Sequence, residues 1–173
     1  VLIFTADHGM AFPGGKTTVY EAGLRVPFVV RHPRAGKKGV VNNAMISHVD
    51  ITPSILDLAG GYDPEKRAPK SLMKVDKVPA GENPGPAETS YHGRSWIPIL
   101  EENNPVGWNE IGASHTFHEI QMYYPMRAVR DREYKLIWNI AYPLPYPFAA
   151  DLWESPTWQD IYEQWPDEIG RAS

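Results

Sequence analysis

The chain has 173 residues, which is enough for one ordinary domain with a sizeable core. Its formal net charge of −4, from 17 basic and 21 acidic residues, argues against general nucleic-acid binding but leaves binding of a polyanionic sugar open. No apolar run approaches the roughly 20 residues that span a bilayer, and the absence of cysteine excludes disulfides and thiolate metal ligands in this chain.

The first predicted element is a strand that leads into a candidate metal site. Residues 1–5 form a short, continuous apolar run, which predicts a buried parallel strand. Asp7 and His8 follow directly, and in open α/β sheets ligands bind at the carboxyl ends of strands. A carboxylate and an imidazole in adjacent positions can hold one divalent ion. The residues alone leave the metal open, because His is a less usual ligand than oxygen for Ca²⁺.

A glycine-rich loop, residues 9–25, comes next and carries Lys16. Lys is a compact point charge suited to a tetrahedral oxyanion, and flanking glycines allow close approach of the backbone. In isolation Lys16 would be interpreted as a solvated loop lysine. Because it follows Asp7 and His8 so closely, we expect it to hold the anion that the metal polarises. This arrangement indicates hydrolytic transfer of a sulfuryl or phosphoryl group.

After the loop, the sequence predicts two short strands at residues 26–30 and 44–49 and a helix at residues 52–60. Asp50 or Thr52 can cap the helix, and Gly60 can end it. Residues 61–92 shift in composition towards Pro, Gly, Lys and Glu, which predicts a surface excursion. Order resumes at residues 93–100, where Ser95 can act as an N-cap.

The second half is predicted to contain three strands and a final helix. The strands lie at residues 111–114, 126–130 and 134–140, and the last two form an antiparallel hairpin. Ser155 is expected to cap the final helix, with Pro156 in its first turn.

A second candidate group lies between these strands. His118 and Glu119 stand beside aromatic residues, and such a pair can orient sugar hydroxyl, amine or sulfate groups or exchange protons near neutral pH. We expect both to contact substrate. His115 is a further candidate, although a spacing of three residues does not force a shared site in a strand or loop.

Several segments, taken in order, resemble the type I sulfatase family of the alkaline-phosphatase superfamily. In the first half these are residues 5–9, 15–16, 21–27, 48–56 and 93–95. In the second half, the segments that resemble the sulfamidase branch of that family are residues 112–115, 118–119, 122–129 and 155–160.

The resemblance implies an α/β fold, namely the C-terminal part of an alkaline-phosphatase-like sulfatase fold. Residues 1–100 would be the end of the large α/β domain, with residues 61–92 as its surface excursion. Residues 101–173 would be part of a smaller antiparallel α+β subdomain.

The resemblance also implies roles for individual residues. Asp7 and His8 match a late pair of Ca²⁺ ligands, although the second is often Asn in sulfamidases. Lys16 matches a basic residue that binds the substrate's sulfate, which can be Arg in sulfamidase-like sequences. His118 and Glu119 fall near the glycan end of the pocket.

In this family a Cys or Ser in a Cys/Ser-x-Pro-x-Arg pattern is oxidised to formylglycine, whose hydrate attacks sulfur. The nearest match, residues 123–127, has Tyr at the nucleophile position, so we interpret it as structural. The chain also begins inside an apolar run. We therefore expect a fragment that is inactive alone, whose nucleophile, partner Arg and early Asp ligands lie upstream in its own large domain.

The expected activity of the full-length protein is removal of N-sulfate from glucosamine in heparan-type glycans. The alternatives are an O-sulfatase of the same family, a superfamily phosphohydrolase or phosphonate hydrolase, and an inactive relative that binds sulfated glycan. Extracytoplasmic residence, whether periplasmic, secreted or lysosome-like, follows only from the family. A homodimer is left open.

Overall fold

A computed structural model describes residues 1–66, 91–118 and 122–164 of the chain. The chain divides into two compact units. Unit 1 combines Val1–Arg34 with Glu110–Ser173, and unit 2 is Ala35–Asn109. The division near residue 100 into two family domains stays a prediction.

The strands of the described residues are β1 Leu2–Thr5, β2 Phe28–Arg31, β3 Ile111–Phe117, β4 Tyr123–Arg130 and β5 Lys135–Asn139. The α-helices are α1 Glu21–Leu24, α2 Ile51–Leu58, α3 Ala150–Trp153 and α4 Pro156–Gln164. Short 3-10 helices lie at His48–Asp50, Pro64–Lys66 and Ile97–Ile99. No helix of the described residues is long and apolar enough to cross a membrane.

The first predicted strand exists, but its pairing and burial differ from the prediction. β1 pairs with β2 in antiparallel orientation, with Leu2 opposite Arg31. Leu2 and Phe4 are 64% and 60% exposed. The prediction of a buried parallel strand is therefore wrong for the described part of the chain. A short apolar run reports strand propensity, but it carries no information about which partner strand lies beside it.

The core of unit 1 lies on one face of a three-stranded antiparallel sheet with the order β3-β4-β5. The predicted hairpin is confirmed, since Arg130 pairs with Lys135 across the turn. Alternate residues of β4 point to the same face, and this explains why Tyr124, Met126 and Ala128 are all buried. They form a core cluster with Val19 and Ala141. Val19 belongs to the glycine-rich loop, so the loop packs on the sheet.

Unit 2 is built around α2, which the sequence predicts. Ala59 ends the helix, and Gly60 follows with a φ of +76°. No side-chain bond from Asp50 caps α2. Instead the buried Asp50 carboxylate accepts the backbone N–H groups of Ser47 at 2.9 Å and Arg94 at 2.8 Å. Asp50, which is expected to cap α2, thus connects the turn before the helix to the distant segment that contains Arg94.

The predicted strand at residues 44–49 is wrong. These residues form no strand, and the 3-10 helix His48–Asp50 occupies the end of the segment. The backbone bond from Met45 N–H to the Trp108 carbonyl, at 2.9 Å, is not continued as a ladder. An apolar segment without a paired neighbour does not become a strand.

In unit 2, hydrogen bonds connect two of the segments that carry the family resemblance, residues 48–56 and 93–95, and their neighbours. The Ser54 hydroxyl donates to the Asp50 carbonyl at 2.6 Å and accepts the Trp96 N–H at 3.0 Å. The Ser95 hydroxyl donates to the Asp57 carboxylate at 2.5 Å. Ser54 is fully buried, and these bonds satisfy polar groups that would otherwise be costly inside the protein. In these two segments, the residues that resemble the family therefore have a role in stabilising the fold.

Candidate functional site

The glycine-rich loop is folded tightly on its own backbone. The Gly9 N–H donates to the Gly23 carbonyl at 2.9 Å, and the Lys16 N–H donates to the Met10 carbonyl at 2.9 Å. A Cβ at Gly9 would lie 1.7 Å from the Ala22 carbonyl oxygen, so only glycine fits at this crossing. The second bond folds Lys16 back to Met10, which lies two residues after His8 in the chain.

The end of the loop is fastened to the β4–β5 hairpin. Lys135 Nζ donates to the Val19 carbonyl at 2.9 Å and forms an ion pair with Glu21 at 2.6 Å. Arg130 Nε contacts the same Glu21 carboxylate at 2.8 Å. The hydrogen bond from Lys135 is the main cause that lowers the pKa of Glu21, although partial desolvation opposes it. The loop is thereby held at a fixed place on the sheet.

Thr17 follows Lys16 and has an uncommon backbone conformation. Its φ of +68° lies in the left-handed region, which a β-branched residue rarely adopts. The Tyr146 hydroxyl donates to the Thr17 carbonyl at 2.9 Å, and the two hydroxyl oxygens lie 2.8 Å apart. Burial raises the pKa of Tyr146, so this hydroxyl stays protonated and able to donate. Tyr146 thus holds the conformation that follows Lys16.

Asp7 and His8 lie side by side on the surface of unit 1. The Asp7 side chain is 86% exposed and that of His8 is 44% exposed, and Asp7 Oδ2 lies 3.4 Å from His8 Nε2. His8 Nδ1 lies 2.7 Å from the Gly9 carbonyl oxygen. When Nδ1 donates its proton to that carbonyl, the lone pair of Nε2 is available to a metal ion.

This arrangement fits two ligands of one divalent ion. Across residues 1–66, 91–118 and 122–164 the structure shows no group of three or more His, Cys, Asp or Glu side chains that could hold a metal. Among the described residues, Asp7 and His8 can therefore supply only one side of a metal site.

Lys16 forms an ion pair with Asp151 of α3, through its Nζ and the Oδ2 of Asp151. The Lys16 side chain is only 15% exposed, while that of Asp151 is 47% exposed. The hydrogen bond from Lys16 is the main cause that lowers the pKa of Asp151, and the charges of Lys16 and His118 lower it further. Asp151 therefore stays ionised at neutral pH and links two of the residues predicted for the site.

The sequence did not point to Asp151. It lies 135 residues from Lys16 in the chain, in a segment without a recognisable motif. A lone aspartate at the start of a short helix is usually a structural or solvated residue. Only the tertiary fold brings it to the loop, so no local signal could have identified it.

The structure assigns different surroundings to the two candidate histidines. His118 follows β3, donates its backbone N–H to the Met122 carbonyl at 3.3 Å, and acts electrostatically on Asp151. His115 lies within β3, and its Nδ1 contacts the Tyr124 carbonyl at 2.9 Å. Its Nε2 is buried without a hydrogen-bond partner among the described residues. Glu119 lies outside the described residues.

A small apolar cluster supports the Asp151 side of the site. Met122, Ala149 and Leu152 are buried together, with Phe148 packed against them. Ala149 is fully buried and Leu152 is 2% exposed, so α3 is anchored on both sides of Asp151. The same cluster contains Met122, the backbone partner of His118.

The nearest match to a sulfatase nucleophile pattern is structural, as predicted. Residues 123–127 lie within β4, where Tyr124 and Pro125 are buried. Arg127 Nη1 donates to the carbonyls of His115 at 3.1 Å and Met126 at 2.9 Å. These residues are part of the β-sheet and hold its strands together. The described residues contain no other match to the nucleophile pattern.

Comparison with known proteins points to one family. Residues 1–62 match the family model described as "Sulfatase". The chain is 34% identical over 162 residues to N-sulphoglucosamine sulphohydrolase of Homo sapiens, which covers 93% of this chain and 29% of that protein.

Two bacterial proteins are also similar. An ulvan-active sulfatase of Formosa agariphila is 30% identical over 80% of this chain and 23% of that protein. An N-acetylglucosamine-6-O-sulfatase of Bacteroides thetaiotaomicron is 26% identical over 79% of this chain and 22% of that protein. The chain thus spans less than a third of the length of these curated relatives.

Proposed function

Since this chain belongs to the sulfatase family, we propose that the full-length protein is a sulfohydrolase that removes N-sulfate from glucosamine in heparan-type glycans. The observation that carries the proposal is the placement of Lys16. Its ammonium pairs with Asp151, and its backbone N–H bond to the Met10 carbonyl folds the loop back to a residue that lies two positions after His8 in the chain. A cation held on the loop that directly follows two candidate metal ligands suits the charge of a transferring sulfuryl group.

In this proposal the residues of the chain have distinct tasks. Lys16 binds a sulfate oxygen through its ammonium, which is a compact charge with three N–H donors. Asp7 and His8 hold one side of a Ca²⁺ site, and the bound ion would polarise the sulfuryl group as a Lewis acid. His118, and Glu119 outside the described residues, contact the sugar, with His115 a further candidate for the same role. The nucleophile, a formylglycine, is expected upstream.

The choice of N-sulfate over O-sulfate is supported by the similarity to the human N-sulphoglucosamine sulphohydrolase, which covers nearly the whole chain. An O-sulfatase is the second candidate, because the Bacteroides relative is an N-acetylglucosamine-6-O-sulfatase and is similar over most of the same residues. We further propose that the protein resides outside the cytoplasm, where sulfated glycans are degraded.

The test uses the full-length protein with two matched substrates, glucosamine N-sulfate and glucosamine 6-O-sulfate. We expect sulfate release from the N-sulfate with a kcat/KM at least about tenfold above that for the ester, a preference worth about 1.4 kcal/mol. The Lys16→Met variant is expected to lose about 100-fold or more in kcat/KM, because it removes a donor to the developing charge.

Lys38→Met is the matched control, since Lys38 is an exposed lysine of unit 2 and should leave activity unchanged. A preference for the 6-O-sulfate would replace the N-sulfatase by the second candidate. Release of phosphate from a phosphate ester, without release of sulfate, would overturn the sulfohydrolase proposal altogether.

A further inference from the structure

Asp151 forms an ion pair with Lys16 in unit 1 and has no role in the function proposed above. Its Oδ2 accepts a hydrogen bond from Lys16 Nζ. An ammonium has three N–H donors, so this bond leaves two of them for an anion. The Asp151 carboxylate fixes the direction of one N–H bond of the Lys16 ammonium, and this also sets where the other two N–H bonds can point.

Both partners of this ion pair are fixed by their own surroundings. On the loop side, Tyr146 binds Thr17, the residue after Lys16, through its hydroxyl. On the other side, Asp151 lies between the buried residues Ala149 and Leu152. Tyr146 and Asp151 belong to one short segment, so that segment holds two consecutive residues of the loop.

Lys16 needs such support because its side chain is long and flexible. A lysine has four rotatable stem bonds, and an ammonium alone does not select a geometry. The limited exposure of its side chain, 15%, shows that the stem is packed, and the carboxylate then fixes the end. Preorganised donors stabilise developing charge without reorganisation at the moment of reaction.

The charge of Asp151 has a second consequence. The carboxylate lies close to Lys16 and within electrostatic reach of His118, so it offsets positive charge in the region where sulfate would bind. Without the carboxylate, the Lys16 ammonium would bind the sulfate product more tightly. Asp151 therefore has two effects. It fixes the geometry of the ammonium, and it weakens the binding of the sulfate product.

We propose that Asp151 is the positioning residue for Lys16, an inference that rests on the function proposed above. It aims the ammonium at the sulfuryl group and limits the affinity of the site for free sulfate. A residue that only stabilised the fold would not have this pair of effects.

The test compares Asp151→Ala and Asp151→Asn in the full-length protein, with Asp160→Ala of α4 as an exposed control aspartate. For Asp151→Ala we expect kcat to fall about 10- to 100-fold, because a small misplacement of a positioning group has costs of this size. Inhibition by inorganic sulfate should become stronger than in the parent. Asp151→Asn keeps an acceptor oxygen without the charge, so its kcat should lie between those of parent and alanine variant.

The proposal is overturned by a kcat for Asp151→Ala within twofold of the parent. Weaker sulfate inhibition in this variant, parallel to that expected for Lys16→Met, would also overturn it, because it would mean that Asp151 only maintains the fold. A full-length protein that releases sulfate from neither test substrate would refute the proposed function. Calorimetric titration with inorganic sulfate then tests the effect of Asp151 on the anion site separately: Lys16→Met should weaken binding, Asp151→Ala should strengthen it, and an unchanged affinity of Asp151→Ala would overturn the proposal.

Discussion

Gly9 joins the candidate metal pair to the loop that carries Lys16, and its position allows no side chain. The space for a Cβ is filled by the Ala22 carbonyl oxygen at 1.7 Å. We predict that Gly9→Ala lowers the free energy of unfolding by about 1–3 kcal/mol, the usual cost of overpacking. Chemical denaturation of the full-length protein measures the change, and the loop should shift enough to reduce activity as well.

Gly112→Ala is the matched control. Gly112 lies in β3, and a Cβ there would meet no atom within 4 Å. Its substitution should leave stability the same or raise it by about 0.4–1 kcal/mol, because alanine has fewer conformations to lose on folding. Equal stability of the two variants would show that the loop does not require the close contact at Gly9.

At the level of single residues, the sequence identifies side chains whose neighbours in the chain form a pattern. Asp7, His8 and Lys16 can be proposed because a strand, a polar pair and a glycine-rich loop follow one another. Asp151 cannot, because its partner is 135 residues away and only the packing of α3 brings it there. The roles of Asp7 and His8 as metal ligands stay predictions.

The glycine-rich loop is held on the β4–β5 hairpin by Glu21, whose carboxylate lies between Lys135 and Arg130. These cations lower the pKa of Glu21 below its ordinary value of 4.5. A carboxyl group with a lowered folded pKa adds stability above its unfolded pKa, and that stability is lost as the pH falls through the folded value. The contribution is modest, about 1 kcal/mol or less, because the Glu21 side chain is 48% exposed.

We therefore predict that Glu21→Gln lowers the thermal midpoint of the full-length protein at pH 7, and that the difference disappears once the pH is low enough to protonate Glu21 in the folded protein, which lies below its ordinary pKa of 4.5. Glu133→Gln, in the exposed hairpin turn, is the control and should have no effect at either pH. A difference between Glu21→Gln and the parent that persists at low pH would assign the contribution to packing instead of charge.

Helices and hairpins whose ends carry cap or turn residues can be predicted from the sequence, whereas the pairing of isolated strands cannot. The Ser155 hydroxyl accepts the Trp158 N–H at 3.2 Å, as expected for the cap of α4, and the hairpin of β4 and β5 follows its turn residues. β1 was predicted as a strand with the wrong pairing, and residues 44–49 as a strand that is absent. In both cases the outcome depends on a partner segment that a local pattern does not specify.

In the molecule as a whole, the candidate site and the buried polar network are separated between the two units. Asp7, His8, Lys16, His118 and Asp151 all lie in unit 1. The network of Asp50, Ser54 and Ser95 lies in unit 2. The sequence resemblance extends over both units, so it includes candidate site residues as well as residues that hold the fold. Stability and activity should therefore respond to different substitutions.

Ser54→Ala tests this separation. Its hydroxyl is fully buried, donates to the Asp50 carbonyl and accepts the Trp96 N–H. The alanine variant removes both of these buried hydrogen bonds, and we predict a loss of about 1–3 kcal/mol in the free energy of unfolding. The kcat/KM of the protein that remains folded should match that of the parent, whereas Lys16→Met should show the reverse pattern.

The control for Ser54→Ala is Thr52→Ala, an exposed position of the same helix, where no loss is expected. Denaturation midpoints and sulfate release are measured on the same preparations of each variant. If Ser54→Ala lowered kcat/KM as much as Lys16→Met while most of the protein stayed folded, the network would belong to the chemistry. The assignment of the site to unit 1 alone would then be wrong, because a change in unit 2 would alter turnover without unfolding the protein.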